Sequence, residues 1–407
     1  MNYKFLKVSS YYSDYLEYFY KKHQNIPENY NCHLQLILND FFGYGDAFSR
    51  YLDELGNKTY EIIYNDKRLQ KKWAYQNDVN VKRDWQKIIL FEQIRKIKPD
   101  VIYWNTFIDD NILKCIKDEF PGIKINFTHT GVKINNYKYY EEFNFIISCL
   151  KSQVNDFNSK NKDVYFIKHA FHPLILNKIK KNKKNIDFSF FGSIISGESF
   201  HNKRAEYLGY LIKKTPLEIY SSFKNPTIIE HSKNFIKKII KPTLNALEKI
   251  GGSDYIFPEK IKFDKIKKWE DAKERVQLTK EIVKKINRPV YGLDMFQKLA
   301  NSKISFNIHI DEAGNQAANM RMYEVTGVGT CLLTDWKEDI KEYFEPDYEI
   351  VTYKNKEEAL EKVKYLLDNP KEREKKALNG QKRTLRDHTF KKRVEKVNEI
   401  ILKYLKK

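Results

Sequence analysis

The sequence lacks most of the features that would tie it to a membrane, an oxidising compartment or a nucleoside-triphosphate loop. No window offers the ~20 predominantly apolar residues of a membrane span, and Met1-Asn2-Tyr3-Lys4 leads straight into a strand-like run with no small-residue cleavage site. Only four cysteines occur, Cys32, Cys115, Cys149 and Cys331, scattered and without a C-x-x-C spacing. They read as isolated thiols in a reducing compartment, which excludes a disulfide framework and a zinc cluster. The expectation is a cytoplasmic protein without a leader. Gly43 and Gly45 have no Lys-Ser/Thr after them and no clear strand before them, so a phosphate loop of the triphosphatase kind is not expected there. No recognisable RNA- or DNA-binding motif accompanies the charge, and no specific nucleic-acid partner is expected.

What is present is a substantial core and an excess of positive charge. The 407 residues are 41% hydrophobic and 14% aromatic, enough for two or three domains and incompatible with disorder. Lys+Arg 74 against Asp+Glu 54 gives +20, which attracts anionic partners. Much of that lysine accompanies an abundance of Asn, Ile, Tyr and Phe and is compositional. A peripheral contact with an anionic membrane at its inner face is the secondary expectation.

Along the chain, strand and helix patterns alternate. Lys4–Ser9 reads as a buried strand and Asp14–Lys22 as a helix capped by Ser13. Leu34–Phe42 and Ala47–Leu55 read as two helices broken by a glycine turn. Strands follow at 61–64, 101–104, 124–127, 145–148 and 164–167, with helices between them, which predicts a parallel sheet with right-handed crossovers. The Thr128-His129-Thr130-Gly131 loop then lies at the carboxyl end of that sheet, where open α/β sheets place ligands. His129 is a candidate sugar or acceptor contact, or a histidine hydrogen-bonded within its loop.

The basic run from Asn177 to Lys184 reads as solvated linker. A second sheet starts at 188–191 and turns at Gly192-Ser193, where a glycine lets backbone approach a phosphate. Lys203 and Arg204 open the next helix, placed to reach the same anion or simply exposed. Residues 223–289 read as a charged helical insertion. The expected domains are 1–175 and 185–385, with a final helix in 386–407 whose apolar stripe docks on the first domain.

The chemistry concentrates between Ile304 and Asp335. A buried strand, a polar loop, a short helix opening near Asn319, a glycine turn and a second buried strand predict a βαβ unit. Its helix start favours an anion such as a diphosphate. Arg321 adds a fork of donors suited to phosphate oxygens. Glu324, one turn on, suits a pair of ribose hydroxyls. Arg321 and Glu324 at i,i+3 also fit an ordinary surface pair. His309 and Asp311 precede the helix as candidate sugar or phosphate contacts, or as a plain polar loop start.

Asn319-x-Arg321-x-x-Glu324, followed by Thr326-Gly327-Val328-Gly329-Thr330-Cys331-Leu332-Leu333-Thr334-Asp335, resembles the C-terminal half of CgeB-like glycosyltransferases. Tyr291-Gly292 with Asn301-Ser302-Lys303, Phe344-Glu345-Pro346, Asp387-His388-Thr389-Phe390, Gly192-Ser193 and His169-Ala170-Phe171-His172-Pro173 extend the resemblance over most of the chain from about residue 164. It implies an α/β GT-B fold, two Rossmann-like domains facing across a cleft, with 1–175 the acceptor-side domain and 185–385 the nucleotide-sugar-binding domain. It also implies that the Tyr291 loop packs against the nucleotide base. Two departures bear on the donor sugar: Gln316 stands where relatives often carry an acid eight positions before the helix glutamate, and His172 where an acid often follows Phe171.

The function implied is metal-independent transfer of a hexosyl group from a nucleoside-diphosphate sugar to a glycan, lipid-linked or protein acceptor. No cofactor is expected beyond the donor substrate. The absence of any Asp-x-Asp removes the metal clamp of the other large glycosyltransferase fold. An inverting route needs a base near the acceptor, for which Asp46 and His129 are the candidates, although Asp46 first fits a helix cap after the glycine turn. The competing reading is a nucleotide-sugar-binding protein of the same fold without catalysis.

Overall fold

The computed structural model describes residues 2–43, 45–131, 137–195, 202–224 and 278–406. It carries two six-stranded parallel sheets flanked by helices, and the chain divides into two compact units, 1–190 with 290–407, and 191–289.

The first unit contains the whole of one sheet, built from β1 (Lys4–Ser9), β2 (Lys58–Ile63), β3 (Val101–Asn105), β4 (Ile125–Thr130), β5 (Phe145–Ser148) and β6 (Val164–Phe166) in the order β2-β1-β3-β4-β5-β6. Its helices are α1 (Ser13–Lys22), α2 (Tyr30–Leu38), α3 (Ala47–Glu54), α4 (Lys67–Gln76), α5 (Trp85–Ile97), α6 (Asp110–Glu119) and α7 (Lys151–Asn158). Local chemistry starts several of them: Asn29 accepts the Cys32 amide, Asp66 those of Arg68 and Leu69, and Asp109 that of Asn111. Alternation along β1 sends Phe5 to one face and Leu6 and Val8 to the other. The first face packs with Tyr103, Phe127 and Phe145 against Phe48 of α3 and against Val394, Val397 and Ile401 of the last helix, Phe390–Leu405. The opposite face packs Ile102 and Trp104 against Leu90 and Ile94 of α5 and Leu113 of α6.

From the second sheet the same unit holds β7 (Ile186–Phe191), which runs into the second unit at its last residue. Beyond that unit in sequence it holds β12 (Ser302–Asn307), β13 (Cys331–Asp335) and β14 (Val351–Tyr353), in the order β7-β12-β13-β14. The helices Gly292–Ala300, Met320–Gly327, Lys356–Asp368 and Pro370–Asp387 accompany them. β14 starts at Val351, just after Glu349 closes a turn by donating its amide to the Glu345 carbonyl.

The second unit, taken alone, contains β8 (Ile194–Ile195) paired with β10 (Phe223–Lys224), the helix α8 (Asn202–Leu211), and β9 (Leu217–Tyr220) paired in parallel with β11 (Ile286–Asn287). Of the insertion read at 223–289, residues 225–277 lie outside the described residues. Among the described residues, no helix is long and apolar enough to cross a membrane.

The basic run before β7 is more than solvated chain. Lys184 donates to the Ala300 and Ser302 carbonyls at 2.9 Å and to the Thr330 hydroxyl at 3.0 Å, and burial pushes its pKa down to about 8.

Candidate functional site

The register of β12 and β13 places Asn307 beside Thr334, so that both strands end at one carboxyl edge. Asn307 ties the edge together: its amide nitrogen donates to Thr334 at 2.9 Å, and its amide oxygen accepts from Asn319 at 2.8 Å. Two residues past β12, His309 is buried and turned onto the last residue of β13. Its backbone amide lies 3.0 Å and its Nδ1 2.6 Å from Asp335 Oδ1. Burial alone would raise the Asp335 carboxyl. The charge and hydrogen bonds of His309, with Lys337 Nζ 3.3 Å away, outweigh it and hold the carboxyl well below the usual carboxylate range. An ionised Asp335 requires Nδ1 to carry the proton it donates, which fixes the ring and leaves Nε2 for another partner. That Nε2 is buried and has no hydrogen-bond partner among the described residues.

The helix Met320–Gly327 starts beside this pair. Asn319 caps it, with its side-chain oxygen 2.9 Å from the Arg321 amide. Arg321 and Glu324 meet at 2.8 Å, and Arg321 Nη1 also lies 2.9 Å from Met295 Sδ. The i,i+3 pair therefore exists, but it is no surface pair: Glu324 is 6% exposed. Burial raises its pKa, and Arg321 offsets part of the rise. At the far end of this helix, a side-chain carbon on Gly327 would lie 2.4 Å from the Phe171 ring, so only glycine admits that contact.

The remaining candidates are distributed elsewhere. Asp311 is exposed and opens a short turn, Asp311–Ala313. The Tyr291 ring meets Tyr15, Tyr18 and Phe42 edge-on at 5.5 to 5.9 Å. Gln316 accepts the Ser152 amide at 3.2 Å, at the start of α7. In the second unit, Arg204 is buried and donates to the Ser193 carbonyl at 2.9 Å. Lys203 is exposed with its ammonium 5.8 Å over the Tyr207 ring, and the Gly192 amide donates to Tyr220 at 3.3 Å.

The two candidates for proton transfer have separate surroundings. His129, at the carboxyl end of β4, lies 3.2 Å from the Tyr103 hydroxyl. Burial and the nearby Lys7 charge push its pKa down to about 4, so the ring is neutral at pH 7 and a weak base. Asp46 occupies the residue before α3 but caps nothing with its side chain. It pairs with Arg50 at 2.5 Å and approaches His172 Nε2 at 3.4 Å. Burial would raise this carboxyl, and His172 and Arg50 together bring it below its ordinary value.

Asp335 and Lys337 were given no role on sequence grounds. The available signal was position, since an acid closing a buried strand faces the ligand edge of an open sheet. Its pairing with His309, 26 residues away, depends on strand register. Among the described residues, no group of three or more His, Cys, Asp or Glu is placed to hold a metal ion.

A family model described as glycosyl transferase-like matches residues 233–399. The fold is similar to that of the Anabaena protein Alr3699/HepE in complex with UDP and glucose (TM-score 0.53, 9% identity, covering 99% of this chain and 100% of that one). It is also similar to an alpha-glucosyltransferase in complex with UDP-glucose and DNA containing an abasic site (0.56, 10%, 99% and 100%). A glycosyltransferase from Rickettsia africae is similar as well (0.52, 12%, 100% and 99%). At these identities the likeness shows the GT-B fold alone. No curated protein matches the sequence.

Proposed function

We propose that the chain, whose family match and GT-B fold support a glycosyltransferase of the group 1 type, moves a hexosyl group from a nucleoside-diphosphate sugar to an acceptor hydroxyl. The carrying observation is the convergence of His309 with Asp335, the Asn319 cap and the Arg321–Glu324 pair at one strand edge. In the free protein Arg321 and Glu324 satisfy each other. Donor binding would exchange their partners, giving the guanidinium to the diphosphate and the carboxylate to the ribose. The helix start and the free Nε2 of His309 would then stabilise the leaving diphosphate as charge develops on it, without a metal.

On the acceptor side, Tyr12 and Phe107 stand 70% and 74% exposed beyond the neighbouring strands β1 and β3. A hydrogen bond of 2.8 Å from Thr106 to Ser10 ties their loops together. Two exposed rings at a strand edge suit the apolar faces of a sugar acceptor. His129 is the candidate base, neutral at pH 7 and of low basicity in the free protein. The CgeB-like subtype, a role in surface glycan, glycolipid or glycoprotein synthesis, and action in the cytoplasm at the inner membrane face belong to the same reading.

A thermal-shift panel of UDP, GDP, dTDP, ADP and CMP tests it. One diphosphate at ~100 times its dissociation constant should stabilise the chain by about 2.7 kcal/mol, and Glu324→Ala should abolish that shift. No shift from any of the five at millimolar concentration overturns the donor site. Turnover of the matching donor sugar in EDTA tests metal independence, and Lys203→Ala in the same panel tests the phosphate reading of that residue.

The non-catalytic alternative has one observation in its favour: Gln316, standing where relatives carry an acid, is engaged with the α7 backbone. Donor turnover, including slow hydrolysis, excludes it.

A further inference from the structure

A hollow in the first unit has a lining that shares no residue with the β12–β13 edge. It has a volume of about 790 Å³ and runs along β2, the outermost strand of the first sheet, between α3 on one side and α2, α4 and α5 on the other. That volume is in the range of small-molecule sites, roughly 300–1,000 Å³.

Its lining leaves hydrogen-bond acceptors unused on Glu61, Gln93 and Asp46 (Oδ1, 3.4 Å from His172 Nε2), and one donor, Arg50 Nε, without a hydrogen-bond partner. Glu61 is 8% exposed: Lys7 holds its Oε1 at 3.2 Å and Ser49 donates to the same oxygen, while Oε2 has no partner. Gln93 is 2% exposed: its amide nitrogen reaches the Tyr30 hydroxyl at 3.4 Å, while Oε1 has none. Buried polar atoms are ordinarily satisfied, so such exceptions call for an occupant.

The electrostatics narrow its class. The cavity is lined by Asp46, Asp53, Glu54 and Glu61 against Arg50 and Lys96, an acidic balance on a chain of net charge +20. Nucleotides, phosphates and acidic lipids are therefore disfavoured. A cation is not demanded either, because Arg50 already compensates Asp46 at 2.5 Å and Lys7 compensates Glu61. Unused acceptors beside an unused donor, with the Asp46 and Glu61 charges already paired, call for neutral groups that both donate and accept, that is, hydroxyl groups. Tyr60, half-buried, and the edge of Trp73 supply apolar surface of the kind that pyranose faces cover.

We propose that this cavity, marked by Glu61, Gln93, Tyr60 and Trp73, is a carbohydrate-binding site for a short neutral oligosaccharide, separate from the donor site. It does not rest on the donor reading. A protein of this kind would use it to retain a glycan chain away from the reacting end.

Saturation-transfer NMR on the full chain with maltohexaose, cellohexaose and N-acetylchitohexaose tests the site, with spermine and a strand-forming neutral peptide as competitors. Two variants accompany it: Gln93→Met, which removes the acceptor at similar volume, and Gln35→Trp, which fills the exposed mouth of the cavity. At least one hexasaccharide should bind, and its affinity should fall tenfold or more in both variants while the thermal shift by a nucleotide diphosphate is unchanged. Should Gln93→Met not fold, Gln35→Trp alone decides. Absence of binding by all three sugars, binding unaffected by the variants, or displacement by spermine or the peptide at lower concentration than the sugars overturns the proposal.

Discussion

A side-chain carbon on Gly292 would sit 1.9 Å from Oδ2 of Asp40, and the other oxygen of that carboxylate lies 3.4 Å from the amide of Leu293. Asp40, just past α2, therefore sits against the first turn of the helix Gly292–Ala300, where a carboxylate meets the positive end of the helix dipole. Lys22 and Tyr18 reinforce the contact by reaching Asp294 at 2.8 and 2.5 Å. Gly292→Ala should destabilise the protein by about 2–5 kcal/mol, combining about 1–2 for a left-handed residue (φ +54) with about 1–3 for overpacking. Urea unfolding followed by circular dichroism checks this.

Asp40 also gives the contact a pH dependence. Burial pushes its pKa up to about 6 against the ordinary 3.8, with Lys22 and the hydrogen bonds from Tyr15 and Leu293 opposing the rise. The folded state thus holds a proton that the unfolded state has released. The stabilising contribution is complete below about pH 4 and is lost as pH rises to about 6, by about 3 kcal/mol at 1.36 kcal/mol per unit. Asp335 and Asp46 move oppositely, since their folded pKa values are depressed and their contributions are lost on acidification. The measurement is therefore the difference in unfolding free energy between the wild type and Asp40→Asn, which should shrink in magnitude or change sign across this window. A flat difference from pH 4 to 7 would exclude the mechanism.

The parts of the site that were legible in the sequence are those set by neighbours in the chain. Asn319 is a helix-capping residue by its own chemistry, and the helix begins at Met320. The spacing of Arg321 and Glu324 put them within reach of each other, but their burial depends on Met295 and on packing that spacing does not encode. Tyr291 shows the same limit. Its place among Tyr15, Tyr18 and Phe42 joins residues more than two hundred positions apart, through contacts that no local pattern carries. Alternating strand and helix patterns made the parallel sheets readable. The partner of an individual side chain, such as Asp335 for His309 or the Ala300 carbonyl for Lys184, required the strand order.

Asp335→Asn separates orientation from binding at the proposed donor site. The amide can still accept from Nδ1, yet it removes the negative charge beside the ring and can present a donor in place of an acceptor. With donor turnover established, kcat should fall by about 10–100-fold, the range for partners that orient a functional histidine. KM for the donor should change far less, and His309→Ala should lose no less activity than Asp335→Asn. A raised KM with unchanged kcat in Asp335→Asn would instead assign the pair to ground-state binding of the donor.

The buried Lys7–Glu61 pair bridges neighbouring positions of β1 and β2, and each partner is nearly inaccessible to solvent. Lys7 also donates to the Gly45 carbonyl at 2.6 Å, at the turn that precedes α3. Burial pushes the Glu61 pKa up to about 7, and Lys7 is the largest influence opposing that rise. Removing the ammonium would leave an uncompensated buried carboxylate and an unsatisfied carbonyl, so Lys7→Met should cost about 3–5 kcal/mol at pH 8. With Lys7 gone the Glu61 pKa rises further, so the cost shrinks as pH falls and Glu61 takes up a proton. The double variant Lys7→Met with Glu61→Gln should recover much of the stability at pH 8, because it removes both charges together. If the double variant is as unstable as the single one at pH 8, the loss arises from packing and not from the stranded charge.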